Sequence, residues 1–214
     1  MALCKCFACP KQGNFEVGKY YIWQYSAQNF SGEKGIMVRD IDKSYIVFLY
    51  EEYTLFFKDI ECANTSMNIY IDRKKELIFA PEFKCEIGYR VPLDYFSKLP
   101  LPYTQQDIGK EFQKTWEEYR NHPIVSQEER NQVIPYYKII EKGWRAFASK
   151  RWMLNVDFII SESEIIFTYW YKKQKSSFGL NVDDKVIDKV IPMSASSEEI
   201  GHTILELYEK AGIK

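Results

Sequence analysis

The chain has 214 residues, enough to bury roughly 70% of the surface its unfolded form would expose, so its core needs no disulfide or metal staple. Its 29 basic side chains almost cancel its 30 acidic ones, which argues against a protein that coats nucleic acid or lies along a membrane surface. No run approaches the roughly 18 apolar residues of a membrane span, while 16 Tyr and 14 Phe supply the amphipathic rings that suit both sheet cores and interfaces.

In chain order, Cys4-x-Cys6-x-x-Cys9 comes first, and Cys62 and Cys85 bring the cysteines to an odd five. Residues 1–20 lack the continuous apolar stretch of about 7 to 15 that a secretory leader needs, so a reducing cytoplasm is the expected compartment. The clustered cysteines read as free thiols in a loose N-terminus. Zinc completed by a ligand from elsewhere, or an attached lipid, are the other readings, and the second paired motif that zinc sites usually show is missing. Lys19-Tyr20-Tyr21-Ile22-Trp23 and Ser44-Tyr45-Ile46-Val47-Phe48-Leu49-Tyr50 are β-branched and aromatic, and predict strands with Ser31-Gly32-Glu33-Lys34-Gly35 turning between them. Residues 51–60 predict a short helix with Leu55 and Phe56 facing inward.

Two strands are expected next, at about 67–72 and 76–83, with Arg73-Lys74-Lys75 as their hairpin and Pro81 where the second stops pairing or lies at an edge. Thr104 with Asp107, and Ser196 with Glu199, fit the capping-box pattern that opens a helix. Ile108, Phe112, Trp116 and Tyr119 make an apolar stripe in the first helix, matched by Ile200, Ile204, Tyr208 and Ala211 in the second. Asn121-His122-Pro123 breaks the first helix, 126–132 reads as a linker or short helical turn, and 136–150 predicts a helix with Ile139, Ile140, Trp144 and Phe147 as its apolar face.

The chain nearly repeats itself. Met67-Asn68-Ile69-Tyr70-Ile71 returns as Leu154-Asn155-Val156-Asp157-Phe158 and Leu77-Ile78-Phe79 as Ile165-Ile166-Phe167, 87 and 88 positions on. Leu99-Pro100 with Thr104-Gln105-Gln106-Asp107-Ile108-Gly109 returns, 92 positions on, as Ile191-Pro192 with Ser196-Ser197-Glu198-Glu199-Ile200-Gly201. The expected fold is therefore α+β: a largely antiparallel sheet from both copies and the N-terminal strands, helices on one face, and a pseudo-two-fold between halves of about 44–122 and 135–212 in a single domain, 1–214. Gly109 and Gly201 recur inside the helices at a cost of about 1 kcal/mol each relative to Ala. Close approach of helix to strand would explain both, as would inheritance from one ancestral unit.

Little reactive chemistry is legible. Of the two histidines, His122 precedes a proline in a loop and His202 sits on a surface helix position, neither with a second ligand at helical spacing. Glu51-Glu52, Glu117-Glu118, Glu128-Glu129, Asp183-Asp184 and Glu198-Glu199 are sequence neighbours that point in different directions, so they make no dyad. Tyr169-Trp170-Tyr171-Lys172-Lys173-Gln174-Lys175 is apolar on both faces of a strand, and reads as buried on both or as meeting a partner on one.

From about Leu99 onward, Asp107-Ile108-Gly109 opening a helix that ends near Arg120, Tyr137 to Phe147 leading into Leu154-Asn155-Val156, and Ile191-Pro192 before Ser197-Glu198-Glu199-Ile200-Gly201 together resemble bacterial contact-dependent growth inhibition immunity proteins. The pattern covers about half of the chain, or two thirds with 67–83. It departs from the family at Tyr119-Arg120, where members tend to carry Ser-Arg, and the first 60 residues lie outside it. The resemblance implies a cytoplasmic antidote, not an enzyme and without a cofactor, that binds the C-terminal toxin domain of a partner protein and covers its active site. Candidate contacts are Trp170 with Lys172 and Lys173, or Glu128, Glu129, Asp183 and Asp184 against a basic nuclease. The alternatives are a nucleic-acid-binding module using 169–175 together with Arg73 to Lys75, an enzyme with a deep pocket and strongly shifted titrating groups, and a subunit of a larger assembly.

Overall fold

The computed structural model describes residues 2–30, 33–42, 44–174, 177–179 and 188–213. The chain forms two compact units, Met1–Cys62 and Ala63–Lys214, in a mixed α+β architecture with two antiparallel sheets.

The first unit holds strands β1 (Ala2–Cys6), β2 (Tyr20–Phe30), β3 (Glu33–Arg39) and β4 (Tyr45–Phe48), helix α1 (Tyr50–Phe56) and strand β5 (Phe57–Ile60), in sheet order β4-β3-β2-β1-β5. The N-terminus expected to be loose is an inner strand, paired on both sides, and strand alternation puts Cys4 and Cys6 on one face. Both are fully buried with Phe15, Tyr21, Ile36, Val38, Phe48 and Phe57. The expected turn at 31–35 overlaps β3, whose Ile36 and Val38 point into the core. Leu55, expected to face inward, is 64% exposed, and Tyr53 is the buried residue of α1. Two residues apart is about 200° around a helix, so Tyr53 and Leu55 cannot share a face. This sheet is separate from the second one; the N-terminal strands do not join a common sheet as expected.

The second unit runs β6 (Thr65–Asp72), β7 (Leu77–Lys84), β8 (Arg90–Pro92), β9 (Ser97–Leu99), α2 (Gln105–Tyr119), α3 (Gln127–Gln132), α4 (Tyr136–Ile140), α5 (Trp144–Ser149), β10 (Arg151–Ile159), β11 (Glu164–Gln174), β12 (Ser177–Gly179), β13 (Asp188–Pro192) and α6 (Ser197–Lys210). Its sheet order is β12-β11-β10-β6-β7-β8, with β13 also on β11 and β9 also on β7. Alternation sends Met67, Ile69, Leu77, Phe79, Leu154, Val156 and Phe167 to the face covered by Ile108, Phe112, Ile200 and Ile204 of the long helices. The opposite face, with Tyr70, Ile78, Ala80 and Met153, is covered by Tyr136 of α4 and Phe147 of α5. The helix expected over 136–150 is divided at Gly143, whose φ of 152° no helix accepts, and Ile139 is exposed while Tyr136 is buried.

Pro81 does not end β7. It stands opposite Met67, in the gap between the stretch paired with β9 (Leu77 to Phe79) and the stretch paired with β8 (Glu82 to Lys84), where a missing N–H costs no ladder bond. Asp72 fixes the hairpin, its Oδ1 accepting from the N–H groups of Lys74 and Glu76 at 2.8 and 3.0 Å.

Residues at the repeated offsets stand in corresponding registers. Leu77 pairs with Leu99 and Ile165 with Ile191; Phe79 pairs with Ser97 and Phe167 with Lys189; and Asn68 stands directly opposite Asn155 where β6 meets β10. The two glycines also meet, though not as expected. A Cβ on Gly109 would lie 1.8 Å from the Ser197 carbonyl oxygen, and one on Gly201 would lie 1.9 Å from that of Gln105. The close approach is helix to helix, each glycine receiving the first turn of the other.

Candidate functional site

Polar chemistry in the second unit gathers on the sheet face opposite α2 and α6. Asn155 Nδ2 donates to Asn68 Oδ1 at 3.1 Å, and the hydroxyls of Tyr70 and Tyr136 share a hydrogen bond of 2.7 Å. Two register positions from Asn68, and so on the same face, is Glu82 of β7, which stands opposite Ser66. Burial pushes its carboxyl up to about 7 and the Asp157 charge adds to the rise, while Arg90 and a hydrogen bond from Asn68 pull the other way. Arg90 reaches across from β8 to donate to Asp157 Oδ1 at 2.5 Å and to the Ala63 carbonyl at 3.1 Å. Burial likewise holds the Tyr70 and Tyr136 phenols well above their ordinary range. The members come from β6, β7, β8, β10 and α4, so no single local motif announced the network.

A carboxyl titrating near neutrality meets half of the condition set for an enzyme. The other half, a pocket, lies elsewhere among the described residues: a cavity of about 610 Å³ between the β10–β11 turn and the end of β13, lined by Glu162, Glu164, Val190, Pro192 and Met193. Glu82 does not line it, and Asp157 is already engaged by Arg90.

Among the described residues the two alternative candidate sets lie on different elements, β11 and α3. Trp170 is half-buried on β11, opposite Met153, packed on the α4–α5 side of the sheet. Lys172 and Lys173 follow on the same strand, Lys172 paired with Phe178 of β12. Arg73 to Lys75 turn between β6 and β7 at the end of the sheet to which β11 also runs, so the backbone brings both Lys-rich segments to one end, with β10 between them. Glu128 and Glu129 open α3, far along the chain from that end, behind the N-cap Ser126. Asp183 and Asp184 lie outside the described residues.

The cysteine cluster is occupied by protein contacts. Cys4 Sγ donates to the Tyr21 carbonyl at 3.6 Å, Cys6 Sγ to that of Ala8 at 3.3 Å and Cys9 Sγ to that of Phe15 at 3.0 Å. Burial pushes the Cys4 thiol up to about 12 and the Cys6 thiol up to about 11, with the neighbouring Cys9 adding to the latter, so both stay protonated at neutral pH. Among the described residues no group of three metal-binding side chains converges. His122 packs against Phe83 with ring centroids 4.1 Å apart and planes tilted by 40°, and His202 on α6 meets Gln105 Nε2 at 3.3 Å. Among the described residues no helix is long and apolar enough to cross a membrane.

No protein-family model matches the sequence, and no curated protein matches it. Among solved structures, a protein of unknown function from Neisseria meningitidis is similar with a TM-score of 0.54 at 13% identity, over 70% of this chain and 97% of that one. The likeness is one of fold. The CdiA-CT/CdiI toxin and immunity complex from Yersinia pseudotuberculosis gives a TM-score of 0.49 at 10% identity, over 70% of this chain and 98% of that one.

Proposed function

We propose that the chain is an immunity protein of the contact-dependent growth inhibition type, which binds a cognate toxin domain in the cytoplasm and blocks it by covering its working surface. The observation that carries this reading is where the family-like residues fall. Asp107-Ile108-Gly109 and Glu199-Ile200-Gly201, the core of the sequence resemblance, make the reciprocal helix crossing of the second unit. The first 60 residues, outside the resemblance, correspond to the separate first unit, which ends at Cys62. On this reading β6-β7-β9-α2 and β10-β11-β13-α6 are two copies of one element, related through the Asn68–Asn155 pair, and together make a rigid docking body. A tight inhibitor of this kind needs a complementary surface of about 800 Å² per partner and no reactive group.

The test is co-production. If the reading frame immediately upstream encodes the end of an exported protein, producing that end alone should arrest growth, and adding this chain should restore it and yield a one-to-one complex. Unchanged toxicity with no complex removes the reading for that pair.

The nucleic-acid alternative draws on one observation, the placing of Arg73 to Lys75 and Lys172 to Lys173 at the same end of the sheet. Binding of a single-stranded oligonucleotide that falls steeply between 50 and 200 mM salt would favour it; no binding at the lower salt removes it.

A further inference from the structure

At the other end of the same sheet, the β7–β8 turn and α3 build a surface that none of the foregoing uses. Val125 donates to the Lys84 carbonyl at 2.9 Å and Glu86 to the Val125 carbonyl at 3.2 Å, so the segment before α3 is fastened along the end of β7. Beneath it, Phe83, Cys85, Val91, Leu93 and Val125 form a buried cluster. The turn and α3 are tied again above: Glu86 Oε2 accepts from the Gln127 N–H at 3.3 Å, and Arg130 lies over the Tyr89 ring, 5.1 Å from its centroid, with Nη1 donating to the Tyr89 hydroxyl. Carried outward on this frame are Ile87, Ile124 and Tyr89, which are 66%, 48% and 43% exposed.

Across 85–89 and 124–132 three carboxylates, Glu86, Glu128 and Glu129, outnumber one basic side chain, Arg130, which lies over the Tyr89 ring. Among the described residues none of the three carboxylates is held by a lysine or arginine. Glu128 accepts from the Gln132 amide at 3.1 Å, and Glu129 has the His122 ring at 3.8 Å. A preformed Tyr–Arg contact beside exposed isoleucines, with an excess of carboxylates on the same segments, is the composition of an interface hot spot with a steering rim. We propose that this surface docks the basic face of a protein partner, with Tyr89, Ile87 and Ile124 entering an apolar depression and the three carboxylates meeting lysines or arginines around it. This inference rests on the immunity reading, whose toxin domain is the partner meant; it adds where that partner sits and what charge it carries.

The test measures binding of the toxin domain to the full chain and to Tyr89→Ala, to Ile87→Ser/Ile124→Ser and to Glu128→Lys, with Val190→Ser at the opposite edge of the sheet as the control. Tyr89→Ala and the double variant should weaken binding at least about tenfold through faster dissociation. Glu128→Lys should slow association at low salt and approach the unaltered chain at 0.5 M salt. Val190→Ser should bind within about twofold. All sites are exposed, so circular dichroism should show unchanged folding. Should a variant unfold, hydrogen exchange on the unaltered complex decides, and slowed amides in 85–89 and 124–130 support the surface. Normal affinity in the folded variants, or no slowing in those segments, overturns the surface and leaves the immunity reading standing. No complex with the unaltered chain overturns both.

Discussion

Gly109→Ala separates helix propensity from packing because the two predict opposite signs. In an exposed helix the change would stabilise by about 1 kcal/mol. Here the new Cβ would lie 1.8 Å from the Ser197 carbonyl oxygen, where real Cβ atoms keep at least 3.0 Å, and the obstacle is backbone at the start of α6. The helices must separate by more than 1 Å, loosening Ile108, Phe112, Ile200 and Ile204 over the sheet. Overpacking of this kind costs roughly 1–3 kcal/mol and more when no side chain can yield, so a net loss of about 2–4 kcal/mol is expected. At roughly 2–4 °C per kcal/mol for a chain of this size, Tm should fall by about 5–15 °C. Gly201→Ala should cost a similar amount, its Cβ lying 1.9 Å from the Gln105 carbonyl. Because one displacement relieves both clashes, the double variant should lose clearly less than the sum of the singles. Thermal and urea unfolding followed by far-ultraviolet circular dichroism measure all three. A neutral or stabilised Gly109→Ala, or strictly additive losses, would refute the reciprocal crossing.

Glu82→Gln should stabilise the chain at pH 8 and do so less at pH 5. Folded, Glu82 keeps its proton up to about pH 7, whereas unfolded it does so only to its ordinary 4.5, so folding takes up a proton in that window and stability declines as pH rises through it. The full 2.5-unit difference corresponds to about 3 kcal/mol, and partial solvent access reduces the expected gain above pH 7 to about 1–2 kcal/mol; a gain independent of pH would contradict the assignment. Thr104→Ala should cost about 1–2 kcal/mol and Ser196→Ala about half of that, measured by urea unfolding. Thr104 completes a reciprocal box in which its own N–H donates to Asp107 Oδ2 at 2.8 Å, whereas Ser196 only accepts from the Glu199 N–H. Equal losses would remove the role of the box.

What the sequence made legible was local or repeated. Helix starts at Thr104 and Ser196, the apolar stripes, and the strands around Asn68 and Asn155 follow from spacing, because capping and periodicity involve residues a few positions apart. What it concealed depends on partners distant in the chain. β1 is a strand because β2 and β5 pair with it, and nothing within Cys4-x-Cys6-x-x-Cys9 shows that. The repeated glycine predicts a close approach of helix to strand, whereas its partner is the α6 backbone at Ser197, because sequence gives a tight contact but not what it meets. The network around Glu82 needs Asn68, Arg90, Asp157 and Tyr136 brought together by the sheet, and Glu82 alone reads as an ordinary strand carboxylate. Charge alone singles out Glu128 and Glu129, whereas Ile87-Gly88-Tyr89 on the neighbouring tight turn stands out only through Arg130 over the Tyr89 ring.

Inhibition by occupancy would make the toxin domain's own activity a titration of this chain. With the toxin held well above its dissociation constant, activity should fall in a straight line and reach zero at one equivalent of this chain. Full activity in the presence of excess chain would contradict the account, as would complete loss at a small fraction of an equivalent, which would mean that the chain destroys its target by turnover.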